Sequence, residues 1–213
     1  QTPPVVFDGA LVPSLDGGEP LVSRPLSRQV LQLAAREAQR HGDYLELHTA
    51  ADYYVERLGT EGEWQRRKLG VEPIVAPFDG LWEREPIIKA LFVVRREEQR
   101  RRLQELQAEL EPEATLSWGV SPGFEGHFVD VMRTGVDKCS SLSVLLRALD
   151  IPWERVFAAG DSPSDLAYVR RAGCGVIMGG APVEVRRQAP RVAPPARDDG
   201  LAQAAEEFVL RRA

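Results

Sequence analysis

The feature that most constrains the fold is the alternation of helix and strand patterns in the last third of the chain. Residues 140–149 have a helical pattern, and 155–159 are a predicted strand whose residues 156–159 form a short apolar run. Residues 164–172 are helical again, and 174–178 are a second predicted strand. Helices that alternate with strands are typical of parallel sheets with crossover helices. Strands of this kind are buried on both faces, which explains their continuous apolar character. We therefore predict an α/β fold with a Rossmann-like parallel-sheet core.

The middle of the chain has a different organisation. Two longer helical patterns, one short one and five strand patterns occur there. The helices are at 27–42, 61–69 and 96–110, and the strands are at 44–49, 53–56, 87–94, 115–120 and 127–132. This mixture is compatible with one antiparallel sheet covered by two helices. We therefore predict that residues 23–133 form an inserted α+β domain, and that residues 1–22 and 134–213 together form the parallel-sheet core.

The composition excludes several broad classes. With 43% hydrophobic residues among 213, the chain can fill an ordinary core. A formal net charge of −5 gives no general attraction to nucleic acid or to anionic membranes, and no stretch approaches 18 consecutive apolar residues. The two cysteines lack Cys-x-x-Cys spacing, which argues against a disulfide framework and a zinc site. A cytoplasmic protein that binds neither nucleic acid nor membrane is expected.

A loop with two carboxylates follows the first apolar run of the core. Asp161 and Asp165 lie four residues apart after Gly160, at the carboxyl end of the predicted strand. Open α/β sheets bind their ligands at this position. Asp165 could instead be structural, because Ser162 as an N-cap and Asp165 three residues later form a capping-box pattern. Asp161 has no such local role, so we expect it to bind a hard cation such as Mg²⁺.

Lysine is rare in this chain, which makes each one informative. It occurs only at positions 68, 89 and 138, whereas arginine is abundant. Lys138 opens a predicted helix whose first turn contains Ser140 and Ser141. An ammonium beside unpaired helix N–H groups is an arrangement that binds phosphate, although a lone lysine is more often a solvated surface residue.

These residues occur in an order that is similar to the haloacid dehalogenase superfamily, specifically its Cof-type phosphatases with a large α/β cap. The similar motifs are Gly135-Val-Asp-Lys138, Gly160-Asp161-x-x-x-Asp165, Ala172-Gly-x-Gly-Val-x-Met-Gly-x-Ala181 and Asp199-Gly200-Leu-Ala. Near the start, Phe7-Asp8-Gly9-Ala10 resembles the Asn-Gly-Ala turn that leads from core to cap in this family. The resemblance implies that the inserted domain is the cap.

The resemblance also implies roles for individual residues. Asp161 would be a direct Mg²⁺ ligand, and Asp165 would support the metal site or its waters. Lys138 would be catalytic together with Asp165, holding the phosphate and the attacking carboxylate. Ser164 and Gly180 stand where many relatives have asparagine, so the hydrogen bonds of those asparagines are in question.

Substrate recognition is implied in both predicted domains. In the core, Ser140 and Ser162 would bind the phosphate beside Lys138. None of the three histidines has metal-ligand spacing. In the cap, His48 on a predicted strand is interpreted as a surface or cleft residue that would contact the substrate. The expected partner is a small phosphorylated molecule, and the expected assembly is a monomer or a weak homodimer.

One motif of the family is not found in the sequence. Its nucleophile and its acid/base partner belong to an Asp-x-Asp-Gly-Thr strand, and aligning that strand with the segment around Asp8 places Val6 at the nucleophile position. We therefore expect the nucleophile to lie upstream of this chain, which would lack about the first third of the core. These 213 residues alone are then expected to be inactive.

The implied function of the intact protein is Mg²⁺-dependent hydrolysis of a phosphoric monoester, with a sugar phosphate as the favoured substrate and an aspartyl-phosphate intermediate. Two alternatives remain open. One is a phosphomutase of the same superfamily, which transfers phosphate to a sugar instead of water. The other is a non-catalytic binding module that has kept the fold and lost the nucleophile.

Overall fold

The computed structural model describes residues 2–14, 16–121 and 123–210. It divides the chain into two compact units. The core unit comprises Gln1–Val22 and Asp137–Ala213, and the inserted unit comprises Ser23–Val136. The sequence placed the second boundary at 133/134, and the role of the inserted unit as a cap stays a prediction. Among the described residues, no helix is both long and apolar enough to cross a membrane.

Short strands and helices make up both units. The strands are β1 (Leu11–Val12), β2 (Val22–Ser23), β3 (Leu45–His48), β4 (Tyr53–Val55), β5 (Ile74–Val75), β6 (Lys89–Val94), β7 (Ala114–Gly119), β8 (His127–Arg133), β9 (Phe157–Gly160), β10 (Cys174–Met178) and β11 (Val192–Ala193). The helices are α1 (Arg28–His41), α2 (Gly59–Leu69), α3 (Leu81–Arg84), α4 (Glu97–Leu110), α5 (Lys138–Ala148), α6 (Leu166–Arg171), α7 (Val183–Arg186) and α8 (Gly200–Ala205).

The core unit contains a parallel sheet of order β11-β10-β9. In its register Cys174 pairs with Phe157 and Ile177 pairs with Gly160. Helix α6 connects β9 to β10, and its buried Val169 packs in one cluster with Ala158 of β9 and Ile177 of β10. A parallel sheet with a crossover helix is the predicted architecture, and the fold class is therefore confirmed.

The predicted elements around β9 are shifted by a few residues. The strand begins at Phe157 instead of 155, because Trp153–Arg155 form a 3₁₀ turn after Pro152. The next helix also begins later than predicted, since Pro163–Asp165 form a 3₁₀ turn before α6. A proline stands at the start of each 3₁₀ turn, where its fixed φ is compatible with the first residues of a helical turn.

The inserted unit contains one six-stranded sheet of order β5-β4-β3-β6-β8-β7. Its pairs are antiparallel, except that β4 and β5 are parallel at one edge. Helices α1 and α4 share one hydrophobic cluster with the sheet. Helix α1 begins at the predicted cap, where the Ser27 hydroxyl accepts from the Val30 amide at 3.3 Å, and it ends at left-handed Gly42.

The start of the core unit contains a turn, as the Asp8-Gly9 pair within residues 4–12 indicates. A 3₁₀ turn at Phe7–Gly9 interrupts the extended backbone, and Val6 and Leu11 form a single bridge across it. The reason is a run of positive φ angles, 50° at Phe7, 49° at Asp8 and 105° at Gly9. An L-residue in the left-handed region cannot continue a strand.

Candidate active site

The centre of the site is an ion pair between the start of α5 and the loop after β9. The Lys138 ammonium lies 2.9 Å from Oδ1 of Asp165. The Asp165 side chain is only 7% exposed, whereas that of Lys138 is 31% exposed. The fold thus joins two residues that the sequence placed on separate elements, and it buries the carboxylate more deeply than the cation.

The second carboxylate oxygen of Asp165 accepts hydrogen bonds from the loop that follows β9. Its Oδ2 accepts hydrogen bonds from the amides of Asp161 and Ser162, both at 3.0 Å, and from the Ser162 hydroxyl at 2.8 Å. Gly160 makes this fold possible, because a Cβ there would lie 2.4 Å from the Cβ of Asp165. The capping role that the sequence offered for Asp165 is therefore confirmed, and its support of a metal site or its waters stays a prediction.

This environment determines the charge of both partners. Burial alone would raise the pKa of Asp165, but Lys138, the Ser162 hydroxyl and the loop amides outweigh burial and lower the pKa to about 2. Burial would lower the pKa of Lys138, and its contacts with Asp165 and Asp8 reverse this effect and raise the pKa. At neutral pH the site therefore contains an ionised carboxylate and an ammonium.

Two further groups contact the Lys138 ammonium. The Ser164 hydroxyl accepts from it at 3.3 Å, so the hydrogen bond questioned for this serine is present. Oδ1 of Asp8 lies 3.3 Å from the same nitrogen. Sequence reasoning missed Asp8 as a site residue, because it interpreted the segment as the turn from core to cap and set aside its alignment with the nucleophile strand.

The two serines predicted to bind phosphate have protein partners. Ser140 donates its amide to the Asp137 carboxylate at 2.8 Å and its hydroxyl to the Asp137 carbonyl at 3.1 Å, so both groups cap α5. The Ser162 hydroxyl is bonded to Asp165 and lies 2.9 Å from that of Ser164. Phosphate binding by Ser140 and Ser162 stays a prediction.

Asp161 supplies an exposed carboxylate at the end of β9. Its amide is bonded to Asp165, while its own carboxylate oxygens accept no hydrogen bond from the described part of the chain. Asp165 has both oxygens engaged, and the described residues contain no group of three or more His, Cys, Asp or Glu arranged to hold a metal. The donor type fits Mg²⁺, but the donors described here are too few to form a complete site.

His48 lies on β3 of the inserted unit, where a buried carboxylate fixes its ring. Its Nε2 is 2.9 Å from Oε2 of Glu46, which is fully buried and also accepts from the Tyr44 hydroxyl at 2.7 Å. The His48 ring stacks on Tyr53 with ring centroids 5.4 Å apart. Alternation along β3 puts Glu46 and His48 on one face of the sheet, a signal that was readable from the sequence.

Known proteins resemble this chain in fold and in sequence. A haloacid dehalogenase-like hydrolase from Bacteroides thetaiotaomicron superposes with a TM-score of 0.77 and 24% identity, over 95% of this chain and 74% of that one. A structure described as a haloacid dehalogenase subclass IIB sugar phosphatase superposes with a TM-score of 0.72 and 21% identity, over 97% and 75% of the two chains. These similarities support the fold.

A curated relative is a phosphoglycolate phosphatase of Methanothermobacter thermautotrophicus. It is 38% identical over 87 residues, which is 41% of this chain and 38% of the relative. The chain spans between 30% and 38% of the length of the first curated relatives that it matches. The family model described as haloacid dehalogenase-like hydrolase matches residues 1–204, which confirms the resemblance seen in the motifs. The chain therefore belongs to the haloacid dehalogenase-like hydrolase family.

Proposed function

We propose that this chain provides the phosphate anchor and the cap of a phosphoric monoester hydrolase that acts on a small phosphorylated metabolite, with sugar phosphates as the favoured class. The observation that carries the proposal is the buried Asp165 paired with Lys138 at the carboxyl end of β9. Ligands of open α/β sheets bind at this edge. The names of the relatives, a phosphoglycolate phosphatase and a sugar phosphatase, support the substrate class.

Lys138 binds a phosphoryl oxygen of the substrate through a charge-assisted hydrogen bond. Its positive charge offsets the negative charge that develops on the phosphoryl group in the transition state. Asp165 positions the ammonium, since it is itself fixed by three donors of the loop. Because the pKa of Asp165 is about 2, this arrangement persists throughout the neutral pH range.

The attacking carboxylate is placed upstream of residue 1 in this proposal, where the family has its Asp-x-Asp-Gly-Thr strand. A bond forms between its oxygen and phosphorus while the P–O bond to the substrate alcohol breaks, and the alcohol leaves with a proton from the acid/base partner on the same upstream strand. Water then hydrolyses the aspartyl-phosphate to inorganic phosphate and the free carboxylate. Mg²⁺, when bound, neutralises charge on the transferred phosphoryl group. Asp161 is the ligand that this chain contributes, and the remaining ligands come from the upstream segment.

The inserted unit supplies substrate recognition in this proposal. His48 contributes an imidazole whose orientation is fixed by Glu46 and Tyr53. A cytoplasmic location, the absence of nucleic-acid and membrane partners, and a monomeric or weakly dimeric state belong to the proposal as well.

The test is hydrolysis of a panel of sugar phosphates and phosphoglycolate by the full-length protein that contains this chain, with and without Mg²⁺. Lys138→Met is expected to reduce kcat/KM at least a hundredfold, because it removes the phosphate anchor. Arg147→Met is the matched control, since Arg147 is exposed near the other end of α5. Equal activity of the two variants would refute the proposal, and phosphate transfer to a second sugar would identify a mutase.

The upstream position of the nucleophile has its own test. The 213-residue chain alone is expected to release no phosphate from an aryl phosphate at saturating Mg²⁺. Sustained Mg²⁺-dependent turnover by this chain, lost in Lys138→Met, would contradict that placement.

A further inference from the structure

Three protein oxygens already surround the Lys138 ammonium. A lysine ammonium has three N–H donors. Three acceptors surround this one, namely Oδ1 of Asp165 at 2.9 Å and the Ser164 hydroxyl and Oδ1 of Asp8 at 3.3 Å. A phosphoryl oxygen can therefore bind the ammonium only by replacing one of these partners or by sharing its proton.

Asp8 is the partner that is easiest to replace. Asp165 is buried and held by three loop donors, and Ser164 is also bonded to the Ser162 hydroxyl. The Asp8 side chain is 44% exposed, and within the described residues its only ion pair is the one with Lys138. It also carries a negative charge, so it competes directly with an anionic ligand, whereas the serine does not.

An unusual backbone conformation, fastened to α5, holds Asp8 in this position. Phe7 and Asp8 both have left-handed φ angles, 50° and 49°, a region that residues other than glycine rarely adopt. The turn is fastened to the start of α5, where the buried Ser141 hydroxyl donates to the Gly9 carbonyl at 2.6 Å. Gly9 lies so close to α5 that a Cβ there would be 2.4 Å from the Asp137 carbonyl oxygen.

We infer that Asp8 is a resident anion of the phosphate site: its carboxylate occupies the place on the Lys138 ammonium that a phosphoryl oxygen takes, and it leaves when phosphate binds. This inference rests on the proposed function. The empty site keeps its lysine paired and in place, and bound phosphate is held less tightly than Lys138 alone would hold it. Asp8 thereby favours release of the product phosphate.

The test is a titration of the chain with inorganic phosphate at pH 7 and constant ionic strength, followed by NMR. In protein labelled with ¹³C-lysine there are three lysine side chains to resolve, and Lys138→Arg identifies the signal of Lys138. Asp8→Asn removes the charge and tolerates the left-handed backbone. Asp8→Gly removes the side chain and favours that backbone, so it covers a folding failure of the first variant.

Both variants are expected to reach half-saturation at a phosphate concentration about two- to fivefold lower than the unchanged chain, the range that corresponds to a partly exposed ion pair. Asp150→Asn is the matched control. Asp150 is also left-handed and exposed, and it lies past the far end of α5, more than about 15 Å from Lys138. It removes the same charge and should leave the titration unchanged.

The inference is overturned if phosphate binds the Asp8 variants equally well or more weakly, if Asp150→Asn has the same effect, or if phosphate never shifts the Lys138 signal. A second readout uses the full-length enzyme, in which Asp8→Asn should lower the inhibition constant of inorganic phosphate by the same factor. If hydrolysis depends on Lys138 but Asp8→Asn leaves the inhibition constant of inorganic phosphate unchanged, the role inferred for Asp8 is refuted and the proposed function is not. Tighter phosphate binding in a protein that hydrolyses nothing would refute the proposed function alone.

Discussion

Replacing Asp165 by asparagine is the most informative perturbation of this molecule. The substitution keeps the size of the side chain and leaves one oxygen to accept from the amides of Asp161 and Ser162. It turns an amide N–H₂ towards the Lys138 ammonium, which then faces a donor instead of a carboxylate oxygen. The loop should therefore persist, and the ion pair should be lost.

The size of the effect follows from the titration of the carboxyl group. The pKa of Asp165 falls from its usual 3.8 to about 2 in the folded protein. Each pKa unit corresponds to about 1.4 kcal/mol, so the ionised carboxylate stabilises the folded core unit by about 2–3 kcal/mol at pH 7. Because the pKa is lower in the folded than in the unfolded state, this contribution is present above about pH 4 and is lost as the pH falls from about 4 to about 2.

Urea unfolding can be followed in the core unit by itself. Both cysteines, Cys139 and Cys174, lie in this unit and are partly buried, so the rate of thiol labelling against urea reports its unfolding. We expect Asp165→Asn to lower the free energy of unfolding by about 2–3 kcal/mol at pH 7. Asp161→Asn should change it by less than about 0.5 kcal/mol, since that carboxylate is exposed.

Two results would refute this reasoning. The first is a difference below about 0.5 kcal/mol between Asp165→Asn and the unchanged chain at pH 7, which would mean that desolvation of the pair cancels its attraction. The second is a difference that stays constant between pH 4 and pH 2. In that case the loss of stability would come from the amide itself and not from the missing charge.

Three further predictions concern neighbouring contacts. Gly160→Ala should destabilise the core unit by about 1–3 kcal/mol in the same labelling assay, because the new Cβ would overlap the side chain of Asp165. Gly180→Ala is the control, since a Cβ there meets nothing within 4 Å. Ser141→Ala should cost about 1–3 kcal/mol, since the buried Gly9 carbonyl loses its partner, and Ser141→Thr should recover part of this. Glu46→Gln should destabilise the inserted unit by about 1–3 kcal/mol, because it weakens the buried contacts with Tyr44 and His48. Urea unfolding followed by tryptophan fluorescence measures this, since three of the four tryptophans lie in this unit. Glu63→Gln, at a side chain that is 42% exposed, should have little effect.

The parallel core could be predicted because its signals are local. An apolar run, a loop with a cap and a helical pattern follow one another along the chain, and β10 spans the residues predicted for it, Cys174–Met178. The strand ends were less accurate, because the 3₁₀ turns at Trp153 and Pro163 depend on how each proline begins its turn. Lys138 and Asp165 could be identified from their residue types and from the family motifs. Their contact could not, because it depends on the tertiary fold that brings α5 next to the loop after β9.

The role of Asp8 could not be read from the sequence. It depends on two successive left-handed residues and on a hydrogen bond from Ser141, which is distant along the chain. The Asp8-Gly9 pair indicates a turn, but phenylalanine rarely adopts a left-handed backbone, so the sequence does not indicate the conformation of Phe7. The partner of His48 was readable in principle, since Glu46 is two residues earlier on the same strand, but only burial shows that this carboxylate is enclosed.

The two oxygens of the Asp165 carboxylate contact different parts of the site, and this limits the substitutions that the site tolerates. Oδ1 contacts Lys138 and Oδ2 accepts hydrogen bonds from the loop, so a substitution that moves the carboxylate to keep one set of contacts alters the other set. A longer acid at 165 would reach the lysine and lose the loop, and a side chain at 160 would displace both. Lys138, Gly160, Ser162 and Asp165 therefore form a set in which single replacements are penalised and only coordinated changes preserve the site.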